Sequence, residues 1–374
     1  TGAKGVYWNR RYEPMIRRRD DEIACQLRQA GLTVKTFKAS LLAEPEEIEN
    51  KSGLPFKVFT PFWKHCLKKL NASTPLPAPP KVEPPKASLR TTELSELNLE
   101  PEQDWGHSMN EVWTPGERGA ASALELFIND SFNDYAKIRN FPNTKGTSRL
   151  SPHLRFGEIS PRQIKHSLEQ SGHAHWKESH YLSEIGWREF GYHLLYHFPH
   201  TVREPLRPQF NRFPWKENSP QLRSWQKGQT GYPLVDAGMR ELWATGWMHN
   251  RVRMVVASFL VKHLLIHWRH GADWFWDTLV DADLASNTQG WQWTAGSGAD
   301  AAPYFRIFNP TTQAIKFDPE GDYIRKWVPE LRHMSAPDIF EPSKVDKGQN
   351  YPNPIVNHSD ARDRALKAYE KTKA

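Results

Sequence analysis

The sequence predicts a short α/β segment followed by a larger, mostly α-helical domain. Three observations lead there. Two strand-like runs flank one amphipathic helix near the N-terminus, a proline-rich stretch then breaks all regular structure, and beyond Gly116 the residues read as helices separated by breakers. The 374 residues fit two or three domains of ~150 residues each. With 38% apolar and 25% charged residues the chain can bury a core, which excludes wholesale disorder.

Gly5-Val6-Tyr7-Trp8 reads as a short buried strand, Arg17 to Gln29 as a helix stopped by Gly31, and Leu32 to Phe37 as a second, alternating strand. Residues 1–70 are therefore expected to be part of a doubly wound parallel sheet. Two strands are too few for such a layer. The chain also opens on Thr1-Gly2-Ala3-Lys4, so the earlier strands are expected upstream of Thr1. Six of the eleven residues from Pro75 to Pro85 are proline, which can neither complete a sheet ladder nor sustain a helix. With the polar tract that follows, 71–115 is expected to be a semi-rigid linker.

Residues 116–374 are expected to form the helical domain. Ala120–Phe127 is a strong helix former, and Ser160 caps a helix that continues to Glu169 with Pro161 in its first position. Tyr181–Tyr196, Val235–Ala244 and Asn250–His267 follow, separated by Pro199, Pro214, Pro233 and Gly271.

Charge and cysteine content narrow the function classes. Lys plus Arg number 50 against 43 Asp plus Glu, a net +7 that permits a polyanionic partner. The two cysteines, Cys25 and Cys66, make no disulfide framework, which fits a reducing cytosol. No apolar run reaches the ~18 residues of a membrane span. Tryptophan occurs 16 times, more than packing alone asks for.

Gly296-Ser297-Gly298-Ala299-Asp300-Ala301 matches a dinucleotide fingerprint, but it follows no strand and Pro303 interrupts what comes next. Asp281-Ala282-Asp283 through Trp293 is richer. On a helix Asp283, Asn287 and Trp291 share a face, while Trp293 lies about 200° round from Trp291 at ~100° per residue. Asn250, Arg253 and Met254 cluster on another helix, where a core helix with snorkelling arginines is the plainer reading. On a third, Glu184 sets an acceptor beside the plane of Trp187, or else forms a surface pair with Arg188. Thr147-Ser148-Arg149-Leu150-Ser151 gathers small hydroxyls ahead of a helix, suited to phosphate oxygens or to an ordinary cap.

Taken together, Thr147–Pro152, Trp187-Arg188-Glu189-Phe190, Thr230–Ala237, Trp247-Met248-His249-Asn250-Arg251, Gly290–Trp293 and Asp300–Pro310 closely resemble the photolyase/cryptochrome family. Within it they look like the DNA photolyases that split cyclobutane pyrimidine dimers. Val6-Tyr7-Trp8-Asn9 and Phe59-Thr60-Pro61-Phe62 look like the later part of that family's N-terminal α/β domain, whose first part is expected to be missing.

The resemblance implies a helical domain that holds FAD, reduced in its active state. Tyr135, Thr147, Ser148, Leu150 and Ser151 fall where the family grips the phosphates and ribityl chain. Arg188, Arg253, Asp281, Asp283 and Asn287 fall around the isoalloxazine ring, with Arg253 and Asp281 paired and Asn287 facing N5. It implies light-driven electron transfer from excited reduced FAD to a dimer flipped out of UV-damaged DNA, single- or double-stranded.

Trp187 and Trp293 match the walls of the lesion pocket, Glu184 and Asn250 its polar contacts, with Arg251 beside them and Met254 against the lesion. Trp291, Trp268 and Trp215 match the family's electron-hopping triad. Arg139, Arg251, Arg306 and Lys316 are the cations expected on the DNA backbone. The expected setting is a monomer in the bacterial cytoplasm, at the nucleoid and with no metal.

Three alternatives compete. A (6-4) photolyase usually has a histidine pair where Asn250-Arg251 stands. A plant-type blue-light-sensing cryptochrome, an FAD photoreceptor without repair, usually has Asp at Asn287 and favours another aromatic at Trp293. A non-catalytic scaffold does not explain the joint match of Glu184, Trp187, Asn250 and Trp293. For the antenna, the Asn-Glu pair that contacts folate in one branch falls on Met15-Ile16. A differently placed folate, a deazaflavin and no second chromophore are all open.

Overall fold

The two N-terminal strands pair in parallel, β1 (Gly5–Asn9) against β2 (Thr33–Phe37), with Val6 opposite Val34 and Trp8 opposite Thr36. The helix between them, α1 (Pro14–Gln29), starts on a proline whose missing N–H costs nothing in the first turn. In this computed structural model residues 2–70, 74–83, 91–100, 102–300, 305–345 and 350–373 are described. Pro84 and Pro85 of the proline-rich stretch, and Ala301, Ala302, Pro303 and Tyr304 of the motif near Asp300, lie outside them.

Packing crosses the boundary expected near residue 70. Helix α2 (Phe59–Lys69) buries Phe62, Trp63 and Cys66 in one apolar core with Ala120, Leu124, Phe127, Leu182 and Phe190 of the helical part. The polar tract before Trp113 is also not all extended. It contains α3 (His107–Val112), anchored where Ser108 Oγ donates to the Ala244 carbonyl at 2.7 Å and Trp113 Nε1 to that of Thr245 at 2.8 Å.

The remaining helices begin with α4 (Glu117–Asp130), α5 (Tyr135–Ile138), α6 (Ser151–Phe156) and α7 (Pro161–Gln170). Ser160 caps α7 as expected, and Gln163 closes a reciprocal box with it. Next come α8 (His180–His197), α9 (Ser219–Gln226) and α10 (Pro233–Thr245), the last ended by Gly246 at φ +65°. Then follow α11 (Asn250–Ser258), α12 (Trp268–Thr278) and α13 (Leu284–Ala295). The C-terminal part adds α14 (Pro310–Phe317), α15 (Asp322–Trp327), α16 (Pro342–Val345) and α17 (His358–Glu370).

The single helix expected over Asn250–His267 is two pieces. After Ser258 the chain widens into a π-helical turn over Phe259–His263, and Leu265 takes φ +56° before His267 caps α12. The run holds no glycine or proline to announce the break; Lys262 and His263 interrupt its apolar pattern but do not specify a widened turn. A second core lies on this side, built around Trp225, Val256, Phe259, Trp268, Trp291 and Tyr323. Helices α8 and α13 pack together between the two cores.

Candidate active site

Ser179 caps α8 by accepting from the Leu182 N–H. That register puts Glu184, Trp187 and Arg188 on one side of the helix. Glu184 does not pair with Arg188. Its Oε1 accepts from Arg139 Nη1 at 2.5 Å, while Arg188 Nη1 donates to the Ser40 carbonyl at 2.6 Å and its guanidinium lies over the Tyr192 ring. Burial works against the Arg139 charge, but Glu184 outweighs it and holds Arg139 above its ordinary value.

Next to Arg139, Asn140 Oδ1 accepts from Arg251 Nη2 at 2.5 Å, and Arg251 Nη1 donates to a weak acceptor, Met254 Sδ, 3.7 Å away. The segment after α5 thus links α8 to α11 and draws Glu184, Arg251 and Met254 together. Asn250, the first residue of α11, is exposed beside them. Burial, then the nearby charges of Arg139 and Arg306, push Arg251 below its usual value. His249, the α11 cap, is held neutral: burial and Arg253 lower it to about 4, and its Nδ1 accepts from the Arg251 N–H.

Trp187 is 38% exposed and stacks on Phe59, ring centroids 3.8 Å apart and planes 8° from parallel. Trp293 is half-buried on α13, where it lines a cavity with Arg207, Lys262, Arg306 and Phe308. Arg306 and Lys316 are exposed, lying over Phe308 and Phe317 respectively.

A second polar group lies deeper. Arg253 Nη2 donates to Asp281 Oδ2 at 2.8 Å and Nε to the Met248 carbonyl at 2.7 Å. Asp283 caps α13 through the Ser286 N–H at 2.8 Å and accepts from the Tyr192 hydroxyl with its other oxygen. Asn287 is fixed by its amide nitrogen, which donates to the Ala272 carbonyl at 2.9 Å, so Oδ1 is the end not used in that bond.

Farther along, Tyr135 packs edge-on to Tyr181, whose hydroxyl pairs with the Ser148 side chain. The Ser148 hydroxyl accepts from the Leu150 N–H at 3.4 Å, Leu150 is buried, and Ser151 opens α6. Arg149 adopts φ +51° and lies between the Trp247 and Trp113 rings, 4.3 and 5.0 Å away.

The comparisons with known proteins match this chain from end to end. A family model described as the FAD binding domain of DNA photolyase covers residues 181–371, and one described as DNA photolyase covers 1–81. A deoxyribodipyrimidine photo-lyase of Agrobacterium fabrum is 47% identical over 100% of this chain and 81% of its own length. The chain belongs to the photolyase/cryptochrome family. The crystal structure of a bacterial class III photolyase from Agrobacterium tumefaciens superposes with a TM-score of 0.94 at 47% identity, covering 100% of this chain and 80% of that one. Cryptochrome-2 of Arabidopsis thaliana is more distant, 39% identical over 100% of this chain and 65% of its own length.

Membership makes FAD the cofactor to test against the residues present. The buried side-chain atoms without a protein partner include Asp281 Oδ1 and Arg251 Nε. Buried polar atoms left unpaired call for a ligand or water. Asp281 Oδ1 stands in the Arg253 group, and Thr147, Ser148 and Ser151 supply hydroxyls at the start of α6, so the residues present fit a cofactor with a phosphate end and a polar ring.

Trp291 lies in the core against α12, so close to Gly271 that a Cβ there would sit 2.0 Å from its ring. Gly271 is three residues along from Trp268, and the His267 ring lies 5.5 Å from Trp268 and 4.9 Å from Trp215. The photolyase fold thus strings the three expected indoles along the start of α12. Four participants escaped the sequence reading: Phe59, Asn140, Tyr192 and Ser40. Only Tyr192 carried a local signal, four residues after Arg188 on the same helix face.

Proposed function

We propose that this chain is a deoxyribodipyrimidine photo-lyase, a carbon–carbon lyase that uses light to repair cyclobutane pyrimidine dimers in UV-damaged DNA. The observation that carries this reading is the gathering of Glu184, Arg251 and Met254 beside a Trp187 indole with an exposed face. An open aromatic plane beside hydrogen-bonding groups suits a base pair removed from its stack.

In this reading Trp187 and Trp293 stack on the two pyrimidines, and Asn250 and Glu184 hydrogen-bond their edges. Arg139, Arg251, Arg306 and Lys316 hold the flanking phosphates. Tyr135, Thr147, Ser148, Leu150 and Ser151 bind the phosphate and ribityl end of FAD, while Arg188, Arg253, Asp281, Asp283 and Asn287 surround its ring. Reduced FAD supplies the photoexcited electron that opens the cyclobutane ring. The chain's task is orientation and electrostatics rather than ground-state acid–base chemistry. Asn287 Oδ1 offers an acceptor to the N–H that only the reduced ring carries. Trp291, Trp268 and Trp215 deliver an electron from the surface to the cofactor, a route separate from repair.

Asn at 287 and Trp at 293 favour repair over a purely sensory cryptochrome role. In this reading the chain acts on DNA as a monomer at the nucleoid, and its bacterial photolyase relatives support a cytoplasmic setting. Among the described residues no helix is long and apolar enough to cross a membrane. A second, light-harvesting chromophore, folate or deazaflavin, is a further option that the family allows. The test is illumination of UV-irradiated oligothymidylate with chemically reduced protein. Dimers should disappear in blue or near-UV light and persist in the dark; unchanged dimers under illumination would reject the reading.

A further inference from the structure

Phe59 opens α2, outside every segment assigned above to the lesion or the cofactor. Its ring covers one face of Trp187 at 3.8 Å, lies 12° from parallel to Trp63, and meets Phe190 edge-on at 6.0 Å. Phe190 also meets Trp187 edge-on, at 5.9 Å. Trp63 in turn lies against Gly186 of α8, where a Cβ would sit 2.6 Å from the indole. The indole of Trp187 is therefore held from behind by a ring that belongs to the α2 layer, and its other face is the one left for a ligand.

We infer that Phe59 is a positioning residue for lesion recognition: it stacks Trp187 into the orientation that receives the dimer. The inference rests on the lesion-site reading of Trp187. A half-exposed tryptophan on a helix otherwise samples several rotamers, and each binding event must then freeze one. A parallel stack removes that freedom before the DNA arrives. The attraction of an aromatic pair beyond its buried area sets the scale of the effect. Discrimination between damaged and intact DNA thus depends on α2, far in sequence from the helices that supply the polar contacts.

The experiment measures affinity for dimer-containing and intact oligonucleotides with the FAD-loaded protein, together with KM and turnover under saturating light. Phe59→Leu fills the space without a flat ring, and it should weaken dimer binding about 5-fold with intact-DNA affinity unchanged. The loss should appear in KM rather than in turnover. Phe59→Tyr keeps the ring and should restore parental binding. In a Trp187→Ala background Phe59→Leu should cost nothing further, because its only route to the lesion is gone.

If Trp187→Ala weakens dimer binding and Phe59→Leu does not, the inference fails while the lesion reading stands. It fails equally if Phe59→Tyr is as weak as Phe59→Leu, or if the loss persists in the Trp187→Ala background. If Trp187→Ala itself binds dimers like the parent, the lesion reading fails first.

Discussion

Arg139 Nη1 lies 2.5 Å from Glu184 Oε1 and ties the segment after α5 to the face of α8 that carries Trp187. The contact gives Arg139 a role different from that of a free surface cation, because much of its charge is already answered by a carboxylate.

Salt dependence separates the two kinds of cation. Each phosphate neutralised by an uncommitted cation steepens the log–log salt slope of DNA binding by about 0.9. Arg306→Gln and Lys316→Gln should each flatten the slope by about that amount. Arg139→Gln should flatten it less, yet lower the yield of repair per bound lesion, because Glu184 loses the partner that fixes it. Fluorescence-anisotropy titrations across a salt series check this, and equal slopes for all three variants would contradict it.

The indole chain predicts a split between photoreduction and repair. Trp291→Phe should stop light-driven reduction of oxidised cofactor while leaving dimer splitting by chemically reduced protein intact, as flash absorption and dimer assays would show. Gly271→Ala tests the packing beneath. Alanine normally favours a helix, but here its Cβ meets Trp291, so a loss of about 1–3 kcal/mol in urea unfolding is expected. A stabilised variant would mean that Trp291 is not seated on Gly271.

Glu189 gives a pH dependence of defined sign. It is buried behind Arg188 and accepts from the Leu42 and Ala43 N–H groups, and burial raises it to about 7 despite those partners. The native state then holds a proton that the unfolded chain releases near pH 4.3, an ordinary value of about 4.3 for glutamate. This contribution to stability falls as pH rises from there through about 7, and the loss is complete above. Glu189→Gln keeps an acceptor and cannot ionise. Its urea midpoint should therefore gain progressively on the parent's from pH 5 to pH 8; a gap independent of pH would refute the assignment.

Asp283 joins a helix cap to a buried hydroxyl. Asp283→Ala should cost about 1 kcal/mol for the cap and about 1–3 more for the stranded Tyr192 hydroxyl. Combining it with Tyr192→Phe should recover the second part. Unfolding curves and released FAD measure both, and strict additivity of the two variants would contradict the coupling.

What the sequence revealed follows from the range of the forces involved. The Ser160 cap and the two short strands around Val6 and Val34 are local, and each is legible from a few neighbouring residues. The candidate polar groups were legible through family motifs, because those motifs are contiguous. Their partners were not. Asn140 reaches Arg251 and Phe59 reaches Trp187 only through tertiary packing, and Glu184 prefers Arg139 over the Arg188 one turn away. The π-helical turn at Phe259–His263 was hidden because no glycine or proline interrupts Asn250–His267. The helix at His107–Val112 was hidden in a polar tract, and its anchors, Ala244 and Thr245, are remote in sequence.

The most direct measurement is the action spectrum of dimer splitting by chemically reduced protein bound to irradiated oligothymidylate. Repair should follow the near-UV and blue absorption of the reduced flavin released from the same preparation, fall to zero in the dark, and vanish when the flavin is removed. Dimer loss in darkness, or none at any wavelength the reduced flavin absorbs, would contradict the claim that this site positions a photoexcited donor against a flipped-out lesion.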